Sequence, residues 1–141
     1  MAEDCGTREI VLADTSVLLN LAIVERLEML GVLRGFHFHV PDEVIEEVRR
    51  PAHRELLDRA LGAGHLTHLP LTGVAVLQHF QALRAHLGRG ESACLALASA
   101  RGTMIASDEK RLFRREARRL LGEGRVLTTP GLFELAIRQR Y

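Results

Sequence analysis

Five short apolar runs of strand length, each followed by a segment of helical periodicity, constrain this chain more than any other feature. The runs are 10–13, 36–40, 66–69, 103–106 and 125–128. Between and after them the sequence predicts helices from Val17 to about Leu30, from Pro41 as the first helical residue, over Arg54 to Leu61, and from Thr72 to about Leu87. Three more are predicted over Glu91 to Ala100, Glu109 to Leu121 and Gly131 to Arg140. Strands separated by helices need right-handed crossovers, so the expected fold class is α/β, with a mostly parallel sheet covered on both faces.

At 141 residues one domain is expected, with a core large enough to fold without disulfides or a structural metal. Residues 1–8 read as a flexible N-terminus and 9–141 as the domain. Cys5 and Cys94 form no CxxC pair, and Cys94, in the small apolar run Ala93 to Ala98, reads as a buried thiol in a reducing compartment. The apolar stretch Val17 to Val24 is too short to span a bilayer and contains Asn20. With no basic start followed by an apolar segment, a cytoplasmic location and no membrane partner are expected.

In open parallel sheets ligands bind beyond the carboxyl ends of the strands, where the strand order reverses. Asp14 ends the first strand and Asp108 the fourth. Each could be an N-cap for the helix that follows, but two acids at matching strand ends point to function. Glu91 opens a helix so small and apolar that it must be buried, which leaves its first turn at the sheet edge. It would also suit the helix dipole there. Of Glu43, Glu46 and Glu47, only Glu47 lies close to the stripe centred on Val44, Ile45 and Val48; the other two are expected to point away.

Four carboxylates in one cleft repel unless a cation sits among them. Mg2+ or Mn2+ suits all-oxygen ligands and needs no His or Cys. Two such ions about 3.5 to 4 Å apart can activate a water and stabilise a leaving oxygen, which points to hydrolysis of a phosphodiester.

The net charge of +1 argues against a nucleic-acid partner until it is resolved along the chain. Residues 1–100 carry a net −4 and residues 101–141 a net +5. In the second part Arg111, Arg114, Arg115, Arg118 and Arg119 fall on one helical face, opposite Leu112, Phe113, Ala117, Leu120 and Leu121. Such a face is solvated surface, a protein-partner surface or a cradle for an RNA backbone. Other chemistries lack their residues. The only lysine is Lys110, which excludes a P-loop, and neither Gly-x-Ser-x-Gly nor Gly-x-Gly-x-x-Gly occurs. His37 and His39 share a strand face without a third ligand and read as packing or rim residues. Six aromatics without tryptophan make base stacking a minor contributor.

Val-Leu-Ala-Asp-Thr-Ser at 11–16, Val-Pro-Asp-Glu-Val-Ile-Glu-Glu-Val at 40–48, Gly-Arg-Gly-Glu-Ser-Ala at 88–93 and Ile-Ala-Ser-Asp-Glu-Lys-Arg at 105–111 resemble, in order and spacing, the motifs of PIN-domain nucleases. The likeness spans about residues 9–138 and is greatest to small prokaryotic members that include VapC-like toxins. It implies a three-layer α/β/α fold around a five-stranded parallel sheet of order 3-2-1-4-5, and a Mg2+- or Mn2+-dependent endoribonuclease. By motif position its catalytic, metal-holding acids fall on Asp14, Glu47, Glu91 and Asp108. Ser16 would anchor Asp14 or a metal-bound water, Glu109 would reach the outer metal shell, and Ser107 stands where relatives carry a small polar residue. Arg111, Arg114, Arg115 and Arg118 would then contact RNA. The resemblance also implies a homodimer and, for a toxin, a cognate antitoxin. A non-catalytic PIN-like module that binds RNA or protein is the alternative.

Overall fold

A computed structural model describes residues 8–109 and 111–141. All but one residue of the terminus expected to be flexible lie outside that range, as do Cys5 and Lys110. The strands are β1 (Glu9–Ala13), β2 (Phe36–Val40), β3 (Thr67–His68), β4 (Met104–Ala106) and β5 (Val126–Leu127). The helices are α1 (Thr15–Ile23), α2 (Met29–Val32), α3 (Asp42–Glu47), α4 (Pro51–Gly62), α5 (Val74–Leu83), α6 (Arg89–Arg101), α7 (Arg111–Leu121) and α8 (Thr129–Arg138).

All strand pairs are parallel, in the order β3-β2-β1-β4-β5. The central strands are continuous apolar runs because both of their faces are covered: Val11, Leu12, Ala13, Ile105 and Ala106 are fully buried. The chain leaves β1 in one direction to build β2 and β3, then returns across the sheet to β4 and β5. That order puts the switch point between β1 and β4, whose ends are tied by the Asp14 N–H donating to Ala106 O at 2.9 Å. Helix α6 packs on β1, β4, α5 and α7, while α1 packs on α4 and α8. Helix α3 touches both α1 and α6, and so spans the two layers.

Several helix boundaries differ from those read in the sequence. Helix α4 begins at Pro51, three residues before Arg54, where proline fits the first turn, and α5 runs from Val74 only to Leu83, short of Leu87. The helix expected from Val17 to Leu30 is broken in two at Val24–Glu25, where Glu25 adopts φ 55° and the Arg26 N–H returns to Leu21 O at 2.8 Å. The break folds Leu27, Met29 and Leu30 back into the core, where each is at most 5% exposed. Pro41 is the N-cap of α3, in extended conformation with ψ 160°, and its carbonyl accepts from Val44 and Ile45. Helix α6 starts at Arg89, which places Gly90 inside its first turn. Helix α8 starts at Thr129, because Thr128 caps it by accepting from the Gly131 N–H at 3.2 Å and Pro130 fits the first turn.

Candidate metal centre

Asp14 leaves β1 at the switch point with only 2% of its surface exposed. Burial of a carboxylate disfavours the charged form and pushes its pKa up to about 7; the Thr15 N–H and the Ser107 hydroxyl oppose that shift, while Glu91 and Glu109 add to it. Ser107 Oγ donates to Asp14 Oδ2 at 3.0 Å, and Ser16 Oγ stands 3.4 Å from the same oxygen. Both hydroxyls also accept from the chain leaving β4: the Asp108 N–H donates to Ser16 Oγ at 3.0 Å and the Glu109 N–H to Ser107 Oγ at 3.1 Å. A hydroxyl suits both places because it can donate to a carboxylate and accept from an amide at once.

Glu91 occupies the first turn of α6, where its Oε1 accepts from the Gly88 N–H at 3.0 Å in a capping-box arrangement. Its pKa is raised, first by burial and then by the neighbouring Glu109 and Glu47. Carboxylate oxygens of Asp14, Glu91 and Glu109 all lie within 4.8 Å of one another. Three acids this close, one of them buried, give an all-oxygen donor set that fits a hard divalent cation.

The other expected residues take separate places. Glu47, the last residue of α3, is held by two donors: Thr15 Oγ1 to its Oε1 at 2.5 Å and the Gly90 N–H to its Oε2 at 3.2 Å. A side chain at Gly90 would put Cβ 3.2 Å from Glu47 Cδ and 3.1 Å from Thr15 Oγ1, so glycine is what lets α6 approach α3 there. Asp108 turns from the trio toward α8. Its Oδ1 accepts from the Thr129 N–H at 2.7 Å, and its Oδ2 accepts from Asn20 Nδ2 at 2.7 Å and from the Thr129 hydroxyl. Glu46 points outward as expected and pairs with Arg89 at 2.5 Å. Glu43 does not: it is half-buried, with a buried Oε1 that has no hydrogen-bond partner among the described residues. Helix α3 is a six-residue piece wedged between two layers, and an angular stripe computed for one covered face misplaces it.

Asn20, Asp108, Arg111, Arg114, Thr128, Thr129 and Pro130 line a groove of about 790 Å3 on the side to which Asp108 turns. Among the described residues Arg111, Arg114 and Arg115 pair with no carboxylate, whereas Arg118 binds Glu123 at 2.9 Å and Arg119 binds Glu116 at 2.7 Å. Phe113 and Ala117 bury the opposite face of α7, while Leu112 is 37% exposed and so lies at its margin. Cys94 is fully buried, with its thiol pKa raised by burial and by the acids around it. His37 and His39 stack edge to face, and neither ring nitrogen of His39 has a partner among the described residues. Asn20 and Thr129 carried no signal in the sequence; only the contacts across α1, β4 and α8 reveal them.

A family model described as PIN domain matches residues 10–123. Among solved structures, a chain of VapBC2 from Rickettsia felis, crystallised bound to a DNA fragment from their promoter, superposes with a TM-score of 0.57 at 13% identity, covering 84% of this chain and 96% of that one. No curated protein matches the sequence.

Proposed function

This chain belongs to the PIN-domain family, and from that premise we propose that it is a metal-dependent endoribonuclease. The observation that carries the reading is the convergence of Asp14, Glu91 and Glu109 at the switch point of the sheet. Those three carboxylates would hold Mg2+ or Mn2+. The bound ion would supply the positive charge that activates a water and steadies the leaving oxygen of a phosphodiester.

The rest of the reaction falls to this chain's own groups. Ser107 and Ser16 hold Asp14 Oδ2, which would keep this carboxylate oriented for the ion. Glu47, held by Thr15 and Gly90, would accept a proton from the attacking water. Arg111 and Arg114, in the groove that Asp108 lines and without carboxylate partners among the described residues, would hold the phosphates that flank the cleaved bond. Arg115 belongs to the same exposed face, and Arg118 would have to leave Glu123 to join it.

Purified protein should cleave single-stranded RNA in Mg2+ or Mn2+, lose that cleavage in EDTA, and lose at least a hundredfold in rate with Asp14→Asn or Glu91→Gln. RNA binding that survives EDTA, with no cleavage in any metal, would instead make the chain a binding module. The likeness to a chain of the VapBC2 complex supports a further step, that the nuclease is a cytoplasmic toxin kept inactive by an antitoxin. A small reading frame beside this one, whose product relieves growth arrest on co-expression, is the expected finding. Among the described residues no helix is long and apolar enough to cross a membrane.

A further inference from the structure

Asp108 and Glu109 are consecutive residues in the irregular segment that follows β4, and their carboxylates go to different neighbours. The structure fixes which goes where. Two consecutive peptide N–H groups, of Asp108 and Glu109, are bound by the hydroxyls of Ser16 and Ser107, which in turn face Asp14. With the backbone held in this way, the Asp108 carboxylate meets three donors: the Thr129 N–H, the Thr129 hydroxyl and the Asn20 amide. Thr129 N–H is one of the unpaired donors at the start of α8, where a negative charge is also favoured by the helix dipole. The Glu109 carboxylate instead joins Asp14 and Glu91.

We propose that Asp108 is a positioning residue, a latch that ties the exit of β4 to the first turn of α8 and the exposed side of α1, and that Glu109 supplies the third carboxylate of the ion site. This rests on the ion site proposed above and divides its last two acids by role: Glu109 touches the ion, and Asp108 acts through the backbone that Glu109 shares. The arrangement accounts for three features at once. It explains why an acid so near the trio has its oxygens occupied, why Thr129 starts a helix directly beside it, and why Asn20, a polar residue in an apolar helix, reaches Asp108.

The test uses the full chain, with Mn2+ affinity measured by paramagnetic resonance and Tm measured in EDTA, for Glu109→Gln, Asp108→Asn, Thr129→Val and the Asp108→Asn/Thr129→Val pair. Glu109→Gln should weaken Mn2+ at least tenfold and leave Tm in EDTA unchanged or higher, because it relieves repulsion from Glu91. Asp108→Asn and Thr129→Val should each lower Tm in EDTA by several degrees and weaken Mn2+ by the same factor, less than tenfold. The double variant should be no worse than the worse single one, since both break one contact. The latch is overturned if Asp108→Asn weakens Mn2+ tenfold or more while Thr129→Val leaves it unchanged, or if the two Tm losses add in full. A wild-type protein that binds no Mn2+ overturns the ion site and the role given to Glu109. The cycle in EDTA, read without metal, still accepts or rejects the latch.

Discussion

A buried carboxylate next to two others is costly, and at Asp14 the cost has a measurable sign. Its pKa in the folded chain, about 7, stands above its ordinary value of 3.8, so the folded state keeps the proton longer than the unfolded one does. Stability from this group is therefore complete below about pH 4 and is lost as pH rises to about 7, by up to roughly 4 kcal/mol. Glu91 shifts in the same direction. Metal-free protein should then melt at a lower temperature at pH 8 than at pH 5, Mn2+ should restore Tm at pH 8, and Asp14→Asn should flatten the pH dependence in EDTA. A Tm in EDTA that rises steadily from pH 5 to 8 would contradict the burial of Asp14. The positions of Asp14 and Glu91 were legible in the sequence because a strand end and a helix start are local features. The serine contacts that orient Asp14 were only half legible: Ser16 is two residues away, but Ser107 is 93 residues distant and joins it only through β1–β4 pairing.

At the scale of single elements, local pattern predicted the strands well, since Val11–Ala13 and Met104–Ala106 must be apolar to lie inside a parallel sheet. Helix ends were less legible where a tertiary contact decides them. Nothing in Val17 to Leu30 marks Glu25 as a left-handed turn; the break follows from the need to return Met29 and Leu30 to the core. Glu43 shows the same limit, because a helix touching two layers has no single buried stripe. Gly90 is where an element boundary and the site meet. The sequence reading starts the helix just after it, at Glu91, whereas it lies inside α6, its N–H donating to Glu47. Gly90→Ala should favour the helix by about 0.5 to 1 kcal/mol taken alone, yet it must displace the Glu47 carboxylate and Thr15 Oγ1. The expected result is an intact fold with cleavage reduced on the order of tenfold to a hundredfold, the usual effect of moving a positioned group by about an ångström. Thr15→Val should act in the same direction more weakly, because it removes one of the two donors and adds no bulk.

Over the whole molecule, a net charge of +1 conceals two opposed surfaces. The carboxylates sit at the switch point and the arginines on α7, which begins three residues after Asp108. An acidic centre repels a polyanion, so a phosphodiester needs both the ion and a nearby cationic surface to approach it. The sequence marked the whole arginine face as one candidate, and the fold divides it. Arg111 and Arg114 line the groove that Asp108 enters, while Arg118 and Arg119 are paired to Glu123 and Glu116. If the groove carries the RNA backbone, Arg111→Ala and Arg114→Ala should each weaken RNA binding severalfold, measured by fluorescence anisotropy in Ca2+ to hold back cleavage. Each should also lower the slope of log K against log salt by about 0.7, the contribution of one phosphate contact on a single strand. Arg118→Ala and Arg119→Ala should change both quantities little, since each arginine already has a carboxylate beside it and the exposed pair is worth at most about 1 kcal/mol. Equal losses from all four variants would mean that RNA is drawn to the diffuse charge of α7, and the groove would then have no special part in holding it.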